Sequence, residues 1–480
     1  MINVYTNREN YQYDLYALIK SFYPEHDVRV YEEEQQSGQQ DSGDQIIVQL
    51  SDNNMKVLID IDCKKEYEHT YKNNTDVIKK ECKLSIYNDL CDYTGKTLPW
   101  GNLTGIRPTK LSMGMLTEGK KDEEIVSWLK ETHAVSEEKA WLSIDIARRE
   151  KAILDKIHSE NGYSIYIGIP FCPTTCLYCS FTSYPIAVWR KRVEEYLQAL
   201  FREIDSVSEI YKNKILDTVY IGGGTPTTLE AEELDRLLQH IHNRFDFRKV
   251  KELTVEAGRA DSITREKLAV LKKNGVTRIS VNPQTMKDET LKYIGRQHTV
   301  AQVKDAFWLA REAGFDNINM DIILGLPGEL EADVQHTIDE IVQLNPDSLT
   351  VHSLAIKRAS KLSQWIEENG IATLHNTDST MEIARKGAYA LNMKPYYLYR
   401  QKNMSGNFEN VGYAREGKYG IYNILIMEEK QTIVACGAGS VSKRVYPDGR
   451  IERCENVKDV SQYIERIGEM IERKRVLLED

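Results

Sequence analysis

The sequence predicts an α/β protein: a partial barrel of six strand–helix units, preceded by an N-terminal α+β domain and followed by a small C-terminal α+β cap. Three observations predict it. Between 163 and 353, strand-like apolar runs alternate with helical ones. The pattern changes character on either side of that stretch, which gives domains of 1–160, 161–384 and 385–480. A cysteine run follows the first strand and a glycine run follows the second, at the strand ends where parallel barrels carry their sites.

In the N-terminal domain, 3–5 reads as a strand and 11–22 as a helix. The tract 32–44, rich in Glu, Gln, Ser and Gly, reads as an exposed loop. The apolar runs 45–50 and 56–62, joined by Ser51-Asp52-Asn53-Asn54, read as a hairpin. Residues 98–110 are loop-like, and helical patterns follow near 122–133 and 136–157. In the central domain the strands fall at 164–169, 217–221, 252–256, 277–281, 317–323 and 347–353. The helices between them fall near 187–210, 230–243, 264–274, 300–313 and 331–343. Beyond 385, the runs 419–428 and 432–436 are strand-like, and Val460, Tyr463, Ile464, Ile467 and Ile471 mark one face of a last helix.

A chain of 480 residues with 41% hydrophobic residues has material for two or three cores. Its formal charge of −10 argues against a general nucleic-acid binder. The first residues lack a basic start, and no run of about 18 apolar residues occurs. No signal peptide and no membrane span are therefore expected, and the cytoplasm is the expected compartment. In a reducing compartment, Cys63, Cys82, Cys91, Cys436 and Cys454 are expected as free thiols, Cys436 as a small buried hydrophobe.

The remaining cysteines, Cys172, Cys176 and Cys179, have the spacing C-x3-C-x2-C. Three thiolates can hold a four-iron cluster by three corners and leave one iron for another ligand. Structural zinc asks for four ligands, and His158, His240 and His242 would come near only through the fold. A disulfide suits neither the compartment nor a trio, and a buried structural trio suits poorly a loop carrying Pro173, Thr174 and Thr175. The run Gly222-Gly-Gly-Thr-Pro226 is a tight turn or a place of close backbone approach to a ligand; it lacks the Gly-Lys-Ser/Thr of a P-loop. Glu256, Gln284, Arg296 and Asp321 follow at or near later strand ends. A charged residue in an apolar strand, such as Asp321, needs a partner or a ligand.

Together these residues resemble the radical S-adenosylmethionine (SAM) enzymes. More narrowly, the segments around Tyr166–Cys172, Tyr178–Phe181, Ile221–Thr227, Thr254–Ala257, Ile294–His298 and Asp321–Gly328 are similar to the oxygen-independent coproporphyrinogen III dehydrogenase family. The runs 99–110 and 420–429 suit its HemZ-type branch. The resemblance implies a [4Fe-4S] cluster on Cys172, Cys176 and Cys179, with SAM on the fourth iron. It implies cofactor contacts from Gly223, Gly224 and Thr225, from Tyr166 and Glu256 to a first SAM, and from Tyr178, Gln284, Arg296, Asp321 and Ala355 around a second. Tyr166 is also the catalytic position it suggests.

The implied reaction is radical oxidative decarboxylation of two propionates of coproporphyrinogen III, in heme biosynthesis, with flavodoxin or ferredoxin as electron donor. Lys357, Arg358 and Arg400 are cations that could meet the propionates, each with an alternative as a surface charge. Two positions depart from the dehydrogenases, which carry a further Cys where this chain has Phe181 and His where it has Gly168. The related heme chaperones also lack that Cys. A heme-binding and transfer protein, a radical enzyme modifying the heme ring, and a zinc- or cluster-stabilised scaffold are the other readings.

Overall fold

The computed structural model describes residues 1–32, 43–51, 53–71, 75–105, 107–179, 183–356, 360–370, 374–401 and 408–479, without the side chains of 75–78, 363 and 367. Most of the expected loop 32–44, with Phe181, Lys357 and Arg358, lies outside these residues. The chain divides into two units. One holds Met1–Arg148 and Leu398–Glu409; the other holds Arg149–Tyr397 and Asn410–Asp480.

The first unit contains β1 (Ile2–Thr6), α1 (Gln12–Phe22), β2 (Val28–Glu32), β3 (Gln45–Leu50), β4 (Asn54–Asp60) and β5 (Lys64–Thr70). The strand order is β2-β1-β3-β4-β5. β1 runs parallel to β2 and β3, and β3, β4 and β5 form an antiparallel meander. Alternation puts Ile46, Val48, Met55, Val57 and Ile59 on one face, where they pack with Leu15, Leu18, Ile19 and Phe22 of α1. The expected hairpin is present as β3 and β4. Helix α2 (Thr75–Thr94), not anticipated above, adds Cys82, Ile86 and Leu90, four residues apart, to the same core. The helices α3 (Thr109–Thr117), α4 (Asp122–His133) and α5 (Glu137–Leu154) follow. Trp100 is buried, and its indole N–H donates to Glu409 at 2.7 Å.

The second unit begins with β6 (Gly162–Ile169), β7 (Phe171–Cys172), β8 (Tyr184–Pro185), α6 (Ile186–Trp189), α7 (Val193–Ile210), β9 (Ile215–Gly223) and α8 (Ala231–Arg244). It continues with β10 (Glu252–Gly258), α9 (Arg265–Lys273), β11 (Arg278–Val281), α10 (Asp288–Tyr293), α11 (Val300–Glu312), β12 (Ile318–Leu324), α12 (Glu331–Leu344) and β13 (Ser348–Ser353). Helices α13 (Lys361–Asn369) and α14 (Asp378–Ala390) precede β14 (Lys394–Tyr399), β15 (Asn410–Ala414), α15 (Ile421–Glu428) and β16 (Thr432–Cys436). The chain closes with β17 (Val441–Val445), β18 (Ile451–Glu455), α16 (Val460–Glu465) and α17 (Ile467–Leu478).

The six expected strands are β6, β9, β10, β11, β12 and β13, side by side in chain order and parallel. Each crossover therefore moves one strand onward, and right-handed crossovers then put the helices on one face of the sheet. The other face is left for side chains such as Tyr166, Tyr220, Glu256 and Asp321. The ladder is open: the order is β14-β15-β13-β12-β11-β10-β9-β6-β16-β17-β18. Strands from the segment read as a cap thus share the core's sheet, with β16 parallel to β6 and β15 antiparallel to β13. Cys436 on β16 is buried, as expected.

One expected element is wrong in kind. The run 419–428 was expected as a strand, and Ile421–Glu428 is helix α15. Its first amides are satisfied from another element: the Glu252 carboxylate accepts from Ile421 N at 2.6 Å and Tyr422 N at 3.3 Å. Glu252 opens β10, so α15 starts at the N-terminal end of the parallel strands and Tyr422 packs against Tyr166 and Tyr220. At the other end of the chain, Lys474 of α17 donates to Glu203 of α7 at 2.6 Å, both fully buried.

Candidate active site at the C-terminal ends of the parallel strands

The cysteine loop leaves β6 through Pro170 and is clasped from three directions. Gly224 N donates to Ile169 O at 2.8 Å, and Thr225 N donates to Phe171 O at 2.7 Å. From α10's end, Gly295 O accepts from Thr174 Oγ1 at 2.9 Å, and Ile294 O accepts from Leu177 N at 3.0 Å. The third clasp is Arg259, whose Nη1 donates to Thr174 O at 3.1 Å and to Thr174 Oγ1 at 2.7 Å. Cys172 and Cys176 are buried, and Cys179 is half-buried. Thr225 Oγ1 donates to Cys172 Sγ at 3.5 Å. Burial pushes the Cys172 thiol up to about 11, against that hydrogen bond, which pulls it down.

The glycine run serves the loop itself. A Cβ on Gly224 would lie 2.5 Å from the Phe171 carbonyl oxygen. Gly223 has φ +108°, and its missing side chain leaves room for the Tyr166 hydroxyl, 3.1 Å from the Cβ position. Gly222 makes the same concession to Tyr220 and to the Glu256 carboxyl.

On the face opposite the helices, Tyr166 and Tyr220 are register partners. Their rings stack at 6.1 Å, and Tyr422 stacks on Tyr220 at 4.4 Å. The Tyr220 hydroxyl donates to Glu256 Oε1. Burial pushes the Glu256 carboxyl up to about 7; the Tyr220 bond pulls the other way, and Asp321 adds to the rise. Asp321 accepts from Asn319 Nδ2 at 2.6 Å and faces His352 Nε2 at 3.7 Å. Burial raises its carboxyl, but those partners outweigh it and hold it below its ordinary value.

Gln284 sits past the end of β11 with φ +69°. Its amide donates to Asp321 O and its carbonyl accepts from Ile323 N, both at 2.9 Å, which locks it to β12. Among the described residues its buried Oε1 has no hydrogen-bond partner. Arg296 is buried; Nη1 donates to Asn282 O at 2.8 Å, while Nε and Nη2 reach the Tyr178 hydroxyl at 3.3 and 3.2 Å. Ala355 lies two residues beyond β13, half-buried.

The residues suit an iron–sulfur cluster and a polar organic ligand. Among the described residues no three Cys, His, Asp or Glu side chains converge as ligands of a single ion would. A cubane instead takes its thiolates one per iron. A buried thiol as hard to ionise as that of Cys172 needs a cation to become a thiolate, which iron provides. Gln284, whose backbone is bonded to that of Asp321, leaves Oε1 as an acceptor without a donor among the described residues.

The chain matches the family described as the Radical SAM superfamily over residues 166–341. It is 42% identical over 425 residues to "Oxygen-independent coproporphyrinogen-III oxidase-like protein HemZ" of Bacillus subtilis (strain 168), across 86% of this chain and 85% of that relative. It belongs to the radical SAM superfamily, in its HemZ-type branch. Membership implies a [4Fe-4S] cluster and SAM. The chain is also 32% identical to the heme chaperone HemW of the same organism, over 64% of this chain and 76% of that one. The solved structure of coproporphyrinogen III oxidase (HemN) from Escherichia coli shares the fold, with a TM-score of 0.52 and 21% identity over 67% of this chain and 73% of that one.

Within this candidate site, the residues unread in the sequence are Tyr220, Tyr422, Arg259, Asp261, His298 and His352. Tyr220 was reachable, since it pairs with Tyr166 on adjacent strands. His298 closes the same Gly-Arg-Gln-His run that carries Arg296.

Proposed function

We propose that this chain is a radical SAM oxidoreductase that decarboxylates the two propionates of coproporphyrinogen III to the vinyls of protoporphyrinogen IX. The observation that carries the reading is the clasped Cys172–Cys179 loop beside a face bearing Glu256, Asp321 and the orphaned Gln284 Oε1. The 42% identity to a coproporphyrinogen-III oxidase-like relative supports the substrate class.

Cys172, Cys176 and Cys179 would hold the cluster. When bound, the cluster and SAM supply the one-electron chemistry that yields a 5′-deoxyadenosyl radical. This chain's residues position and shield. Gly223, Gly224 and Thr225 fix the loop and offer backbone to SAM. Tyr166, with its hydroxyl next to Gly223, is the proposed catalytic-site tyrosine, and its stack with Tyr220 and Tyr422 keeps water out. Glu256, held by Tyr220, would accept hydrogen bonds from SAM. Tyr178, Gln284, Arg296, Asp321 and Ala355 would surround a second SAM, where Gln284 Oε1 finds its missing donor. Each propionate would lose carbon dioxide, a hydrogen atom and an electron.

A small one-electron carrier such as flavodoxin or ferredoxin is the proposed donor. The cytoplasm is the proposed compartment, because thiolate-held iron and free thiols need reducing conditions. Among the described residues no helix is long and apolar enough to cross a membrane.

The test is anaerobic. Reconstituted protein with dithionite, SAM and coproporphyrinogen III should release 5′-deoxyadenosine and give a product lighter by two carbon dioxides and four hydrogens. No 5′-deoxyadenosine would refute the radical reading. A second reading, heme binding and transfer, is favoured by the HemW identity and by Gly168. A Cβ there would sit 3.3 Å from Cys436 O and 3.4 Å from the Tyr166 ring, a poor place for the histidine of the dehydrogenases. Stable heme binding without porphyrinogen turnover would select it.

A further inference from the structure

Arg259 has a role that neither the motifs nor the proposed reaction assigns. It is 3% exposed, just past β10. Its guanidinium is divided between two partners. Nη1 faces the cysteine loop and donates twice to Thr174, the residue midway between Cys172 and Cys176. Nε and Nη2 form a fork on Asp261, at 3.0 and 2.6 Å. Behind Asp261 stands His298 Nδ1 at 3.6 Å, in a fully buried side chain. Burial lowers the His298 affinity for a proton, so the assembly is one cation against one anion.

The consequence is an oriented charge pair whose positive end is buried and faces the cysteine loop, and whose Asp261 end reaches solvent. Adding an electron to a thiolate-held cluster adds negative charge. A buried cation nearby favours that step and a buried anion opposes it. The same guanidinium fixes the loop backbone through Thr174, so geometry and potential are set by one side chain.

We infer that the Arg259–Asp261 pair, backed by His298, sets the reduction potential of the cluster held on Cys172, Cys176 and Cys179 and fixes the loop between two of its ligands. Arg259 is a positioning residue, not a catalytic one. The inference rests on the cluster reading above.

The experiment is an anaerobic redox titration of reconstituted full-length protein, followed by electron paramagnetic resonance, with iron per chain measured on each sample. Arg259→Gln is expected to shift the midpoint potential downward, because the cation is lost and Asp261 stays. Asp261→Asn is expected to shift it upward, because Arg259 is then unopposed. Arg259→Lys keeps the charge and loses the fork, so its potential should lie between wild type and Arg259→Gln. In iron-free protein, loop amides 174–178 should exchange several-fold faster in Arg259→Gln than in wild type.

Opposite shifts in the first two variants support the inference. Unchanged potentials, or shifts of one sign, overturn it and leave a plain structural clasp. Should Arg259→Gln fold without retaining iron, Asp261→Asn and Arg259→Lys decide by the same signs. Wild-type protein that takes up no iron would instead overturn the cluster reading, and this inference with it.

Discussion

Gly224 has no space for a side chain, because the Phe171 carbonyl oxygen stands 2.5 Å from where a Cβ would be. That contact is backbone, so it cannot swing away. Gly224→Ala is expected to displace the start of the cysteine loop and to cost the reconstituted protein most of its iron, measured per chain after desalting. Gly114, inside α3, is the contrast: nothing lies within 4 Å of its Cβ position. Gly114→Ala should raise the unfolding free energy by about 0.5–1 kcal/mol in a urea titration. Glu256 carries a pH signature. Its carboxyl rises from 4.5 in the unfolded chain to about 7 in the fold. The neutral form is therefore favoured on folding, and its contribution is full below 4.5 and lost as pH rises through about 7. Iron-free Glu256→Gln, which stays neutral, should gain on wild type over that window by roughly 3 kcal/mol at most. At this scale the cysteines, the glycines and Glu256 were legible, because their chemistry or their lack of a side chain stands out in a string. Arg259 was not. An arginine reads as a surface charge until a fold buries it against Thr174 and Asp261.

Between elements, the cap on α15 decides what that segment is. Ile421–Glu428 is a short apolar run, and periodicity alone does not separate a buried strand from a buried helix at that length. The Glu252 carboxylate settles it by accepting the first helical amides. Glu252→Ala should lower the unfolding free energy by about 1–2 kcal/mol, and Glu252→Gln, which keeps an acceptor, by less. Both are measurable by urea unfolding followed by circular dichroism. The six parallel strands were readable because each is a mostly apolar run with a helix after it. Helix α2 carries a readable stripe at Cys82, Ile86 and Leu90, diluted by Lys79, Lys80, Glu81 and Lys83 around it. The orphaned oxygen of Gln284 was not readable, since it depends on a left-handed backbone and on two hydrogen bonds to β12.

For the whole molecule, the chain's path matters as much as its motifs. Leu398–Glu409 returns to the N-terminal unit. There Glu409 takes Lys139 Nζ at 2.8 Å and the Trp100 indole at 2.7 Å, with side chains 6% and 1% exposed for the ion pair. Removing Glu409 takes the near partner from the buried Lys139 and leaves it facing the exposed Glu138 at 3.6 Å. Glu409→Ala in the full chain should therefore destabilise the unit by about 3–5 kcal/mol, seen as earlier loss of amide protection around Trp100 in urea, followed by hydrogen exchange. Arg400, read as a surface cation or a propionate partner, is buried in this same unit and donates to Leu103 O at 2.5 Å. By itself the sequence determined the α/β class, the six strands, the cysteine triad and the superfamily, because all of these are local patterns repeated in order along the chain. The tertiary structure alone decided what surrounds them. It put strands from the last hundred residues into the core sheet, made a helix of 421–428, and aimed a buried guanidinium at the cysteine loop. Those features depend on hydrogen bonds between residues far apart in sequence, such as Arg259 with Thr174 and Ile421 with Glu252, and no short window along the chain contains both partners.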